Sequence, residues 1–152
     1  ALPISIDLPV EAVIPADYVP GEGQRLDLYR RLAAVRASEE LEDLVAELGD
    51  RYGEPPEPVV NLLNVALVRA LGSECGISKT EQKGNTVFIY PANLDASIWA
   101  ALAGEFRGRI LLSLGSKPYI TVKMKRDEKI LMFLRDLYKK YIQIHTSKVE
   151  QL

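Results

Sequence analysis

The sequence predicts an α+β fold: a three-helix N-terminal half with an extended N-terminal strap, packed on a β-β-α-β-β-α half with a largely antiparallel sheet. Three observations indicate this class. Prolines punctuate the first 20 residues, apolar residues then recur at helical spacing, and a Gly-Asn pair later separates two strand-like segments. We therefore divide the 152 residues into a strap (1–20), a helical half (21–75), a sheet half (76–145) and a tail (146–152).

The strap is predicted from alternation and proline spacing. Apolar residues alternate with polar ones from Ile4 onward, at the strand period of two. The recurring prolines each remove a backbone donor, so the segment can only be an edge strand or a strap over the surface. We expect two short strand pieces within residues 4–14.

Three helices are predicted next. The first spans about residues 24–36. The second begins with Ser38 as N-cap, has acids in its first turn and ends at Gly53. The third, about 58–74, is apolar on nearly all sides, which predicts a buried helix that joins the two halves.

The second half reads as strands and helices in alternation. The turn at Gly84-Asn85 predicts a hairpin, and Asp95 or Asn93 is placed to cap the following helix, which Gly108 ends. The predicted strands are 77–83, 86–90, 109–114 and 119–124, and the last helix spans about 127–142.

The composition excludes several classes of protein. With 47% apolar and 26% charged residues, the chain is neither disordered nor collagen-like. A single cysteine, Cys75, forms no internal disulfide and suits a reducing compartment, so we expect a cytoplasmic protein. No apolar run approaches a membrane span and no signal peptide opens the chain. A start at Ala1 rather than Met predicts a fragment of a longer protein.

The sequence contains almost none of the common catalytic motifs. The sequence has no phosphate-binding P-loop, no dinucleotide fingerprint and no G-x-S-x-G elbow. His145 is its one histidine, and Cys75 lacks a partner for zinc ligation. Cys75 follows an apolar helix, which favours a packed thiol over a nucleophile. We expect no enzyme activity, no metal and no cofactor in this chain.

Charge is unevenly distributed. Residues 1–57 carry 13 acids against 5 bases, and residues 117–152 carry 4 acids against 9 bases. This indicates either a dipolar surface that orients a charged partner or two solvated amphipathic faces. A basic turn contains four cations, which indicate either a nucleic-acid contact or a solvated strand edge. They are Lys123, Lys125, Arg126 and Lys129.

An acidic corner lies near the end of the second predicted helix. Glu47 and Asp50 stand side by side there, where the helix dipole opposes negative charge. Either Arg51 and an arginine of the first helix offset this charge, or the corner awaits a basic partner surface.

At these residues the chain resembles the C-terminal domain of bacterial transcription-repair coupling factors. The segments that carry the resemblance are IDLPVEA (6–12), IPADYVP (14–20), RLDLYRRL (25–32) and ELGDRYG (47–53), followed by Pro56, Pro58, Asn61-Leu62-Leu63 and Gly76-Ile77. Gly49 departs from the larger apolar residue usual in the family, which loosens the expected helix end.

The resemblance implies a non-catalytic regulatory domain of a larger protein. The parent would be an ATP-dependent DNA translocase that moves stalled RNA polymerase, with ATP and magnesium bound by its motor elsewhere. This domain would dock on a UvrB-like N-terminal module of the same polypeptide and mask the surface that recruits UvrA. The family's docking contact maps onto Glu47 and Asp50, with Arg51 beside them.

Overall fold

The computed structural model describes residues 5–151, with the backbone alone described for residues 5–7. The predicted strand residue Ile4 and the last tail residue, Leu152, lie outside this range. The chain divides into two compact units: a helical unit (residues 10–70) and a sheet unit, which comprises residues 71–151 and the segment before residue 10.

The helical unit contains α1 (Glu22–Ala34), α2 (Ser38–Tyr52) and most of α3 (Glu57–Glu74). Burial of one apolar stripe from each helix forms its core. The fully buried residues of this core include Leu28, Leu32, Leu41, Leu44, Leu48, Val59 and Leu63.

Two details of these helices differ from the prediction. The cap of α2 is Ala37, one residue earlier than predicted, and no side chain caps the helix. Ser38 is the first helical residue instead, because the Ala37 carbonyl already accepts from the Glu40 N–H at 3.2 Å. The prediction that α3 is buried on all sides is wrong, since Val60 is 39% exposed.

The strap forms fewer strands than predicted. Within residues 5–20 there is one strand, β1 (Ser5–Asp7), and residues 8–20 contain none. The Val13 N–H donates to the Pro58 carbonyl at 3.3 Å and the Ile14 N–H to the Tyr29 hydroxyl at 2.7 Å. These contacts satisfy the backbone donors that the prolines prevent from joining a ladder.

The sheet unit confirms the α+β class. Its strands are β1, β2 (Ile77–Lys83), β3 (Thr86–Pro91), β4 (Ile110–Ser113) and β5 (Tyr119–Lys123), in the order β1-β2-β3-β5-β4. Strand β1 pairs in parallel with β2 at the edge, and the other pairings are antiparallel. The helices are α4 (Ala96–Glu105), capped by Asp95, and α5 (Ile130–Glu150).

Both helices of this unit pack on one face of the sheet. The Tyr138 hydroxyl of α5 hydrogen-bonds Thr80 of β2 at 2.9 Å, and both side chains are buried. Alternation along β3 and β5 buries Val87, Ile89 and Ile120 beneath this helix layer. Helix α5 extends eight residues past its predicted end, so the expected tail is helical through residue 150.

Candidate interaction surfaces

The acidic corner at the end of α2 is held in a fixed geometry. Glu47 accepts two hydrogen bonds from the Arg31 guanidinium of α1, at 2.5 and 3.3 Å, and lies 3.9 Å from the Arg51 guanidinium one turn along α2. Hydrogen bonding by Arg31 holds the pKa of Glu47 below its usual range. Glu47 is therefore charged at neutral pH, and its charge is offset within the helical unit.

Asp50 lies on the same face in a different setting. Its side chain is exposed and takes part in no ion pair among residues 5–151. The neighbouring Arg51 places its guanidinium 5.2 Å from the Tyr52 ring centre, a cation–π distance. Of the predicted trio, Asp50 is the member whose charge is available to a partner.

Several contacts fix the end of α2. Gly53 has a φ of +84°, a region that side chains disfavour, and its N–H closes the helix on the Gly49 carbonyl. The Tyr18 hydroxyl of the strap donates to the Gly53 carbonyl at 2.8 Å, and its ring packs 5.7 Å from that of Tyr52. The backbone beneath Asp50 is therefore held on two sides.

The basic turn between β5 and α5 is braced from within. Arg109, immediately before β4, forms an ion pair with Glu128 and also donates to the Lys123 carbonyl at 3.0 Å. The same guanidinium lies 4.6 Å from the Phe133 ring centre. Asp127 takes a φ of +63° within the turn. This brace was not predicted, because its partners lie 19 residues apart in the chain.

The side chains of the four predicted cations of this turn take no part in the brace. Lys123, Lys125, Arg126 and Lys129 are all exposed. Burial raises the pKa of Glu128, but hydrogen bonds from Arg109 and the Lys125 N–H outweigh burial, and the net pKa is lowered. The turn therefore presents cations around a carboxylate that stays ionised.

A further surface was missed by the sequence analysis. The face of the sheet opposite α4 and α5, which we term the outer face, carries three aromatic rings: Phe88 and Tyr90 of β3 and Tyr119 of β5. Their ring centres lie 6.0–6.5 Å apart. The signal was present in β3, where Phe88 and Tyr90 alternate with the buried Val87 and Ile89.

Cys75 and His145 are the two residues that the sequence analysis weighed for nucleophilic or metal chemistry. Cys75 is buried, its thiol donates to the Tyr138 carbonyl at 3.4 Å, and burial raises its pKa well above the usual range, which disfavours a thiolate. His145 is exposed on α5. Within residues 5–151, no three His, Cys, Asp or Glu side chains are placed to hold a metal ion. Nor is any described helix both long and apolar enough to cross a bilayer.

The helical unit also contains a groove of about 190 Å³ between α1 and α3. It is lined by apolar side chains and by Arg69, which donates to the Leu32 carbonyl at 2.5 Å. Because the guanidinium already donates to the backbone of α1, the groove gives no evidence of a ligand site.

Comparison with known proteins identifies the family. The family model of the TRCF domain matches residues 8–98. The chain belongs to the TRCF domain family. This match includes residues 8–20 of the strap, the acidic corner and the first hairpin of the sheet.

Individual relatives of this TRCF domain agree. The transcription-repair-coupling factor of Mycobacterium tuberculosis (strain CDC 1551 / Oshkosh) is 41% identical over 106 residues, which are 69% of this chain and 9% of that protein. The one from Escherichia coli (strain K12) is 34% identical over 96 residues, 62% of this chain and 8% of that protein. The chain thus spans less than a tenth of the length of these curated relatives.

A solved structure shares the fold. The crystal structure of the C-terminal domain of transcription-repair coupling factor superposes with a TM-score of 0.83, covering 95% of this chain and 96% of that one at 19% identity. The fold that the resemblance implied is thereby confirmed.

Proposed function

We propose that this TRCF domain is the regulatory domain of a transcription-repair coupling DNA translocase. In this proposal it docks on the UvrB-like module of the same polypeptide and masks the surface that recruits UvrA. The observation that carries the proposal is the exposed carboxylate of Asp50, fixed beside the Arg31–Glu47 ion pair on a helix end with a defined backbone. ATP, magnesium, RNA polymerase and DNA would be bound by other parts of the parent protein.

The residues of the corner would have different roles. Asp50 would receive a cation of the docking partner directly. Glu47 would act mainly by holding Arg31 and Arg51 in place, so that acidic and basic groups alternate across the surface. Such alternation favours a partner with the complementary pattern over one that is uniformly basic.

Simple energetics make such docking sensitive to one charge. Linkage through the same polypeptide gives an effective concentration on the order of millimolar. An intrinsic dissociation constant of ~10 µM would then keep the domain docked by about 100 to 1, or ~2.7 kcal/mol. Loss of a desolvated charged contact costs about 2–5 kcal/mol, which is enough to undock it.

The test uses charge reversal in the full-length protein. We expect Asp50→Lys to raise UvrA binding, and Glu47→Lys/Asp50→Lys to raise it further. The matched control is Glu42→Lys/Asp43→Lys, which makes the same charge change at exposed positions of the same helix. Measurement is by titration of labelled UvrA, with thermal melts of each isolated domain. Equal UvrA affinity for Asp50→Lys, the control and the parent would contradict the proposal.

A second candidate function follows from the basic turn. Its exposed cations on a braced loop are suited to nucleic-acid phosphates, as an auxiliary contact. Salt separates the two functions, because phosphate contacts give a steep salt dependence and mixed protein docking a shallower one.

A further inference from the structure

We propose that the outer face of the sheet binds single-stranded nucleic acid by stacking bases on Phe88, Tyr90 and Tyr119. This inference is independent of the docking function, since it involves neither α2 nor the acidic corner. It also differs from a phosphate contact at the basic turn, because it assigns the bases a binding platform.

The strand register assembles the platform. Phe88 pairs with Thr121 of β5 and with Glu81 of β2, so these side chains form a row across three strands. Tyr90 and Tyr119 continue the aromatic surface toward one end, with ring centres 6.0 Å apart. Leu111 of β4, which pairs with Thr121, extends the row and is 60% exposed. The face therefore has an aromatic centre with polar neighbours on β2 and β5, and it is open to solvent at its β4 side.

Lysines lie over the rings of this platform. The Lys79 ammonium is 5.8 Å from the centre of Tyr90, and that of Lys83 is 5.6 Å from the centre of Phe88. The lysine side chains are 48% and 69% exposed, and both ammonium groups also pair with Glu81, at 3.2 and 3.6 Å. Exposed ion pairs of this kind contribute little, so either ammonium can exchange Glu81 and the ring for a phosphate while a base stacks in its place. Base stacking and phosphate pairing thus use adjacent groups.

Charge favours a nucleic acid as the occupant. The sheet unit contains 13 Lys and Arg residues against 9 Asp and Glu. Among the described side chains of β2 to β5, the carboxylate on this face is that of Glu81. It is only 12% exposed, lies 3.2 Å from the Lys79 ammonium and 3.6 Å from that of Lys83, and accepts from the Tyr90 hydroxyl. Thr86 of β3 pairs with Lys83 of β2 on one side and with Lys123 of β5 on the other. Lys123 also belongs to the basic turn, so the cations of the platform continue into that turn. An apolar protein partner would bury three ammonium groups, those of Lys79, Lys83 and Lys123, against the single negative charge of Glu81.

The dimensions fit a short single strand. Four strands at about 4.8 Å spacing make a platform ~15 Å wide, which accommodates two or three stacked bases. Duplex bases are already stacked and paired, so a duplex would reach only the lysines. We therefore expect single strands to bind more tightly than duplexes of equal length.

The experiment measures fluorescence anisotropy of labelled dT12, U12 and a 12-base-pair duplex with the 152-residue chain. At 0.1 M salt we expect saturable single-strand binding with a dissociation constant on the order of 10 µM and at least tenfold weaker duplex binding. Engaging about three phosphates predicts a slope near −2 for log affinity against log salt concentration. Binding that does not saturate at millimolar protein would overturn the inference.

Matched variants locate the site. Phe88→Leu and Tyr119→Leu keep apolar side chains on the strands, and each should weaken single-strand binding about five- to hundredfold. Lys83→Ala should flatten the salt slope, whereas Lys139→Ala on α5 should not.

Thermal melts establish folding, and if an aromatic variant unfolds, Lys83→Ala carries the test. Equal binding of single strand and duplex, unaffected by Phe88→Leu, would overturn the inference and leave the basic turn as the contact. So would self-association lost in Phe88→Leu without oligonucleotide binding.

Discussion

Glu47 and Asp50 carry the same charge on the same face of α2, but only Glu47 pairs with arginines of the helical unit. Their spacing was evident from the sequence, and so was the hypothesis that an arginine of the first helix offsets part of their charge. The structure selects Arg31 as that arginine and assigns it to Glu47 rather than to Asp50. Sequence spacing fixes which side chains share a helix face, but it does not determine which cation of another helix reaches them.

Gly49, between these two acids, gives a prediction at the residue scale. It is exposed within α2, and a methyl group added there meets no atom within 4 Å. Because glycine is a poorer helix former than alanine, we expect Gly49→Ala to raise the free energy of unfolding by about 0.5–1 kcal/mol. Urea denaturation followed by circular dichroism measures the change.

The control for this prediction is Gly53→Ala at the end of the same helix. Gly53 has a φ of +84°, which alanine adopts only with strain, so we expect this variant to lose about 1 kcal/mol or more. If Gly49→Ala were destabilising while Gly53→Ala was neutral, the local account of this helix end would be wrong.

At the scale of elements, the prediction succeeded where turn chemistry was local. Residues 77–83 were predicted as a strand before a Gly84-Asn85 turn, and β2 has those bounds. Gly84 takes a φ of +62°, as such a turn requires. Of the two caps that the sequence left open, Asp95 and Asn93, the structure uses Asp95, whose carboxylate accepts from the Ser97 and Ile98 N–H groups.

Both ends of α5 differ from the prediction, and long-range contacts explain its start. The helix was predicted from Asp127, but Asp127 takes a left-handed conformation and Glu128 turns to Arg109. The helix therefore begins at Ile130. At the other end, the sequence after residue 142 lacks glycine and proline, so no local signal fixed the end.

The Arg109–Glu128 brace gives a prediction for the β5–α5 turn. The net pKa of Glu128 is lowered in the folded state, so its stabilisation is present above its ordinary value near 4.5 and is lost as pH falls below it. We expect Glu128→Gln to cost about 1–2 kcal/mol at pH 7 and almost nothing at pH 3. Urea denaturation at the two pH values tests this.

The matched control for the brace is Asp136→Asn on α5. Asp136 pairs with its neighbour Arg135 but is 57% exposed, and such surface pairs contribute little. We expect no more than about 0.5 kcal/mol at either pH. A Glu128→Gln effect of the same size at pH 3 and pH 7 would show that the ion pair does not brace the turn.

At the scale of the whole molecule, the sequence predicted the uneven distribution of charge but not the aromatic outer face. The acidic N-terminal region (1–57) and the basic C-terminal region (117–152) correspond largely to the two units, since residues 10–70 contain 12 acids against 6 bases. The aromatic outer face was not predicted. The sequence of one β-strand indicates which of its residues share a face, but it does not indicate which other β-strands lie beside it. The order β3-β5 places Tyr119 beside Phe88, although 30 residues separate them in the chain.

The same uneven distribution of charge predicts weak binding to duplex DNA. The cations of the basic turn are interspersed with Asp127 and Glu128, and the helical unit has a net charge of −6, which opposes a polyanion. We expect the isolated chain to bind a duplex with a dissociation constant weaker than ~10⁻⁴ M at 0.15 M ionic strength, and about tenfold more tightly at 0.05 M. Anisotropy titrations of a labelled duplex at both salt concentrations measure this. Lys125→Glu should abolish the binding seen at low salt, while Lys139→Glu, an equal charge change on α5, should only reduce it. Submicromolar duplex binding at 0.15 M that Lys125→Glu removes would instead make the basic turn a primary DNA site.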